Sequence, residues 1–194
     1  MRQPPPDEYY ERATYSTFRL EGLDVSEQEV RVALERGVVR PILRSRQAQR
    51  IRNHAAILRH VESDLRAGLP LRTEGVVRWY TGISAGLSTT SLDQAAAMRL
   101  GDVVRRINSP QMRIRPALAE IATTHAQLLS DPLVPGFNGI LARLLLRYHL
   151  GRCKLPGVVF DPAMDGRAWQ IDTLTGRLVE LLEQRYEEMV GRGK

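Results

Sequence analysis

The stretch PLVPGFNGILAR, Pro132 to Arg143, decides how this chain is read. Two prolines and two glycines between Pro132 and Gly139 break any regular element. Ile140, Leu141, Leu144, Leu145 and Tyr148 then follow at helical spacing. The stretch therefore delivers a helix N-terminus. Asn138 and Gly139, at the junction, tolerate turn or left-handed backbone, which lets successive N–H groups converge on one point. The dipole of the new helix adds to that positive potential, and Arg143, one turn in, can set a guanidinium beside it. This is anion-binding geometry, with Asn138, Gly139 and Arg143 as the candidate ligand-binding residues. A plain helix start with a surface arginine has the same pattern, so both readings stand at this point.

The whole chain narrows the class. Its 194 residues suit one domain able to bury a sizeable core. With 43% apolar residues and no unbroken apolar run near the length of a bilayer span, the composition points to a globular protein outside the membrane. The opening MRQPPPDEYYER carries no apolar segment of a secretory signal, and Cys153 is the only cysteine, which excludes an internal disulfide and a thiolate zinc cluster. A cytoplasmic location is expected. The net charge of +6 invites a nucleic-acid reading, because a basic face releases phosphate counterions on binding. Only Lys154 and Lys194 are lysines, however, and the densest arginine run, Arg36, Arg40, Arg44, Arg46, Arg50 and Arg52, has no interleaved aromatic residue to stack on a base. A solvated helix face is the expectation for that run.

Helical signals dominate. The proline-rich lead suggests an extended or disordered arm over residues 1–15, ahead of a single domain over 16–194. Ser26 with Glu29 forms a capping box that opens a short helix through Glu35, ended by Gly37. Beyond Pro41, the residues Ala48, Ile51, Ala55, Leu58, Val61 and Leu65 form one stripe that runs to Gly68. Ser91 with Gln94 resembles a second box, opening a helix with Met98, Val103 and Ile107 that stops before Pro110. Pro116 suits the first turn of a helix with Leu118, Ile121, His125 and Leu128 inward. A last helix is expected over Ile171 to Val190. Only GVVRWYTGI, Gly75 to Ile83, has strand-like β-branched and aromatic content. The expected class is all-α with one small β-hairpin flap.

In this order, TFRLEG, RIRNHAAIL, GVVRWYTGI, ALAEIATTHAQLL and PLVPGFNGILAR resemble the Fic-domain (Fic/Doc) family. The resemblance covers about Ser16 to Tyr148. It implies a Fic-like helical bundle whose flap residues, Val77, Arg78, Trp79 and Tyr80, register a target protein chain by strand addition. The family signature runs from a histidine, through an acidic position and Gly-Asn-Gly-Arg, to a second arginine. Aligned without gaps it falls on Pro132 to Arg143, where Asn138, Gly139 and Arg143 agree. The motif histidine, the general base of nucleotidyl transfer, is replaced by Pro132, or by Asp131 with one insertion. The acidic magnesium ligand becomes Gly136 or Pro135, and the first phosphate-binding arginine becomes Ile140. A positioned base contributes roughly two to four orders of magnitude, so AMP transfer is expected to be lost, with no magnesium site.

The resemblance also implies an inhibitory helix. The family form places Ser or Thr four residues before a Glu that pairs with the second arginine and blocks the nucleotide γ-phosphate; Thr17, Glu21 and Gly22 match it, so Glu21 should face Arg143. Other candidates are weaker. His125 lies on an apolar stripe, as a core histidine would; His54 and His60 share no helix face; His149 reads as surface. Asp161, Asp165 and Asp172 have no convergent partner, and Cys153 reads as an idle thiol.

Three function classes remain open. One is a divergent Fic-fold protein that keeps a pocket for a phosphate-bearing or other small molecule and acts by binding or regulation. Another is an enzyme turned to a different substrate, with Asp131, His125 or Glu21 as acid or base. The last is an arginine-rich nucleic-acid-binding protein.

Overall fold

A computed structural model describes residues 5–35, 45–88, 92–109, 114–134, 136–155, 157–160, 179–180 and 183–184. Among them, seven helices follow one another: α1 Asp7–Leu20, α2 Glu27–Glu35, α3 Ser45–Arg66, α4 Thr73–Ser84, α5 Gln94–Asn108, α6 Ile114–Ser130 and α7 Asn138–Arg152. The described residues contain no strand, and no described helix is long and apolar enough to cross a membrane.

Residues 140–146 and 148–150 of α7 are all buried. A helix buried on every side must be enclosed by others, and α6, α3 and α5 pack around it. Helix α3 in turn carries α1, α2 and α4 on its remaining faces. Its stripe of Ala48, Ile51, Ala55, Leu58 and Val61 lies in the core as the spacing predicts. Leu118, Ile121, His125 and Leu128 of α6 are likewise buried. Helices α1 and α3 run antiparallel, since Asp7 pairs with Arg59, Thr14 bonds His54, and the Gln47 amide donates to the Asp24 carbonyl.

Local chemistry sets several helix ends. At α2 the Ser26 backbone N–H donates to the Glu29 carboxylate at 2.7 Å and the Glu29 N–H donates to Ser26 Oγ at 3.2 Å, a complete capping box. At α5 the cap is Asp93, whose carboxylate accepts from the Ala96 N–H at 2.6 Å. The buried face of α5 is Ala96, Leu100, Val104 and Ile107, and Met98 stands 69% exposed. The expected cap shifts by two residues, and Ser91 lies outside the described residues.

Two further expectations are corrected. GVVRWYTGI lies within α4 and forms no hairpin. Val76, Trp79, Tyr80 and Ile83 follow i, i+3, i+4, i+7 spacing and are all buried, so packing overrides the strand preference of valine and tryptophan. Gly82 lets α4 approach Ile57 of α3, where a Cβ would collide with its side chain. Strand addition needs a free edge, which residues 75–83 do not offer. The expected extended arm over 1–15 also changes, because α1 begins at Asp7. Asp7 and Glu8 complement the helix dipole, and Tyr10, Thr14, Thr17 and Phe18 form a buried stripe. The helix expected over 171–190 lies mostly outside the described residues, although 179–180 and 183–184 are helical.

Candidate functional site

The loop before α7 is folded inward. Leu133, Val134 and Phe137 are buried, and Gly136 adopts φ +74°, the left-handed backbone that glycine tolerates. Asn138 locks this loop. Its Oδ1 accepts from the Leu133 N–H at 2.8 Å and its Nδ2 donates to the Leu128 carbonyl at 2.6 Å. The Asn138 amide is thereby committed to the protein at both ends. Ile140 is fully buried in the core.

The helix that follows has no side-chain N-cap. Above its first turn stands Glu21, the C-cap residue of α1. A Cβ on Gly139 would run into the Glu21 carboxylate and lie 3.1 Å from Arg143 Nη2, so the close approach requires glycine. Arg143 Nη2 donates to Glu21 Oε1 and, at 3.3 Å, to the Thr17 carbonyl. The pair is enclosed, with side-chain exposures of 7% for Arg143 and 20% for Glu21. Burial pulls the Arg143 guanidinium below its usual range, and Glu21 opposes that pull. The structure therefore brings together Glu21, Gly139 and Arg143 from segments more than a hundred residues apart.

One turn further along α7, Arg147 makes a second enclosed ion pair. Its Nε and Nη2 grip the two oxygens of Glu62 on α3, the latter at 2.8 Å, and its guanidinium lies over the Tyr9 ring at 5.9 Å. Burial pushes the Tyr9 hydroxyl up to about 12. Neither member was singled out in the sequence. The available signal was a glutamate next to Val61 of the α3 apolar stripe, together with an arginine four residues after Arg143.

Between the two pairs lies a cavity of about 30 Å³, bordered by Tyr9, Thr17, His54, Arg143, Arg147 and Phe160. That volume holds about two waters and is far below the roughly 300 Å³ at which small-molecule pockets begin. Residues 158–160 line one side of it, and Ser16 Oγ donates to the Phe160 carbonyl there. As it stands, the cavity admits no nucleotide.

Three histidines, His54, His125 and His149, are interior groups held neutral. His125 bonds the Ala142 carbonyl through Nδ1 at 3.3 Å and stacks on Phe160, and burial lowers its pKa to about 3. His54 bonds Thr14 Oγ1 at 3.0 Å and is lowered by burial to about 3. The nearby Arg143 adds to both shifts. His149, read as surface in the sequence, is buried and lowered by burial to about 4. It lies in the run 148–150 of α7, all three of whose residues are buried. His60 is half exposed and stands 3.6 Å from Asp64.

Asp131 lies elsewhere. It is exposed and bonded to Arg99 at 2.7 Å, and it does not border the cavity. Cys153 is half-buried and its thiol is pushed up by burial. Among the flap candidates, Trp79 and Tyr80 are core residues, Val77 is half-buried and only Arg78 is exposed. In the arginine run, Arg46 is exposed but Arg50 and Arg52 are half-buried, so the expected solvated face is only partly solvated. Arg36, Arg40, Arg44, Asp161, Asp165 and Asp172 lie outside the described residues, as do Gly37 and Pro135.

No family model matches the chain, and no curated protein sequence matches it. Solved structures do. A fragment of Fic-1 from C. elegans, residues 134–508, matches with a TM-score of 0.73 at 19% identity, over 95% of this chain and 64% of that one. A glutamate-to-glycine variant of the same fragment matches with a TM-score of 0.71 at 18% identity, over 93% of this chain and 63% of that one. The chain thus spans slightly less than two thirds of the length of these structures. At such identities the likeness is one of fold, and the chain has the all-helical Fic-like fold.

Proposed function

We propose that this Fic-fold chain does not transfer AMP and acts by binding or regulation, with a phosphate-bearing ligand competing against Glu21 for Arg143. The observation that carries the reading is the Glu21 carboxylate over Gly139, paired with an arginine that is nine-tenths buried. A carboxylate at the open end of a helix stands where an oxyanion would be favoured. Among the described residues, no side chain near this point is poised as a general base. The histidine position of the signature is Pro132, Asp131 is tied to Arg99, and His125 is bonded to the backbone inside the core. In this reading no magnesium is held, because Gly136 offers no carboxylate and Glu21 is already neutralised by Arg143.

Two assays on the wild type and Glu21→Gly test it. With labelled ATP and magnesium, neither protein is expected to label itself or a generic protein target. Labelling that depends on Asn138 or Arg143 would overturn the loss of transfer. In calorimetric titrations with inorganic pyrophosphate, Glu21→Gly is expected to bind at least about tenfold more tightly than the wild type, since hydrogen bonds to charged groups are worth about 1.5–3 kcal/mol. A Glu21→Gly protein that melts lower yet binds no better would make the pair a structural tie and end the regulatory reading.

A further inference from the structure

We propose that Arg50 is the second guanidinium of an oxyanion site at the N-terminus of α7, and that the site takes a phosphate or pyrophosphate group. The inference rests on the reading above, in which Glu21 can leave Arg143.

The antiparallel register of α1 and α3 locates Arg50. Asp7 meets Arg59, Thr14 meets His54 and Asp24 meets Gln47. Glu21, between Thr14 and Asp24, therefore lies at the level of α3 between His54 and Gln47, which is where Arg50 stands. The Arg50 guanidinium covers the ring of Phe137 at 5.4 Å. Phe137 is the N-cap residue of α7, two positions before the Gly139 over which Glu21 sits. Three features thus converge on one end of α7: its uncapped first turn, Arg143 and Arg50.

The bonding of these groups is incomplete in a way that suits a larger anion. Arg143 is nine-tenths buried and uses only Nη2, toward Glu21 and Thr17, while its Nε is buried without a hydrogen-bond partner among the described residues. Arg50 Nε is also buried without such a partner, and among the described residues no carboxylate forms an ion pair with Arg50. Arg147 also leaves its Nη1 buried without a partner among the described residues, but its charge is answered by both oxygens of Glu62. One carboxylate cannot answer two guanidiniums and a helix end. Arg143 and Arg50 together outweigh Glu21 by one positive charge, and the α7 dipole adds to it. A phosphate carries more charge and at least three acceptor oxygens, enough for both guanidiniums and the first-turn N–H groups together.

The test uses the full chain in the Glu21→Gly background, titrated with inorganic pyrophosphate and followed by calorimetry and thermal melting. Adding Arg50→Gln is expected to weaken binding about tenfold or more without a matching fall in melting temperature, and Arg50→Lys, which keeps the charge but not the fork, to recover part of the loss. Unchanged affinity in both Arg50 variants, with pyrophosphate still bound by Glu21→Gly alone, would leave Arg50 a stacking residue and overturn the proposal. Failure of Glu21→Gly itself to bind pyrophosphate would instead remove the reading on which the proposal rests, and the proposal with it. If Arg50→Gln lowers melting below the assay temperature, Arg50→Lys decides: affinity equal to the Glu21→Gly parent refutes the role, and an intermediate loss supports it.

Discussion

Replacing Gly139 by alanine sets two effects of opposite sign against each other. In a helix, Gly→Ala is ordinarily stabilising by up to about 1 kcal/mol. Here the added Cβ would collide with the Glu21 carboxylate and press on Arg143 Nη2 at 3.1 Å. A glutamate end can swing away, but doing so abandons a guanidinium that is 7% exposed. Breaking such a buried pair typically costs about 3–5 kcal/mol, because the remaining charge is left uncompensated. Subtracting the propensity gain leaves a net loss of about 2–4 kcal/mol. For a chain of this size each 1 kcal/mol shifts melting by about 2–4 °C, so Gly139→Ala should lower it by about 4–16 °C. With Glu21→Gly already present the collision with the carboxylate is gone, and the same alanine should be neutral or raise melting by a few degrees. A thermal-melt double-mutant cycle measures both. A neutral or stabilising Gly139→Ala in the native background would falsify the placement of Glu21 over α7.

The Glu62–Arg147 pair is more deeply enclosed, with side-chain exposures of 4% and 13%; Glu62→Gln should therefore cost about 3–5 kcal/mol, read by urea unfolding, and a loss below 1 kcal/mol would mean that the pair is solvated. Acid should unfold the protein early. His54 and His125, lowered to about 3, and His149, lowered to about 4, stay neutral in the fold while the unfolded chain protonates them near 6.5. The unfolded state then binds more protons. The stabilisation is complete above pH 6.5 and is lost as pH falls toward the folded values, at about 1.4 kcal/mol per pH unit for each histidine. Melting temperatures that stay level between pH 7.5 and 5 would contradict the burial of these rings.

Much of the fold was legible because helical periodicity is a local property. The stripes of α3 and α6 and the Ser26–Glu29 box each occupy a few turns of contiguous sequence, and they form as read. The resemblance carried by TFRLEG and PLVPGFNGILAR also directed attention to Glu21 and Arg143, which sequence spacing alone could not have brought together. GVVRWYTGI misled because composition and periodicity disagree there: valine, tryptophan and tyrosine favour strands, while the spacing of Val76, Trp79, Tyr80 and Ile83 fits one helix face. Packing on α3 and α5 chose the second. The same kind of decision turned residues from Asp7 onward into a helix and His149 into a buried residue.

The sequence by itself determined the all-helical class and the loop that delivers α7. Both follow from residues close along the chain, where backbone geometry leaves few choices. Only the tertiary structure decided what Asn138, Glu62, Arg50 and residues 157–160 touch. Asn138 offered an amide that suits an anion as well as a carbonyl, and its partners at Leu128 and Leu133 fixed it as a loop lock. Glu62 and Arg147 are 85 residues apart, and Ser16 and Phe160 are 144 apart. Such pairings depend on how helices cross around α7, and the energy that selects a crossing is shared among all the buried side chains, so no short stretch of sequence encodes it.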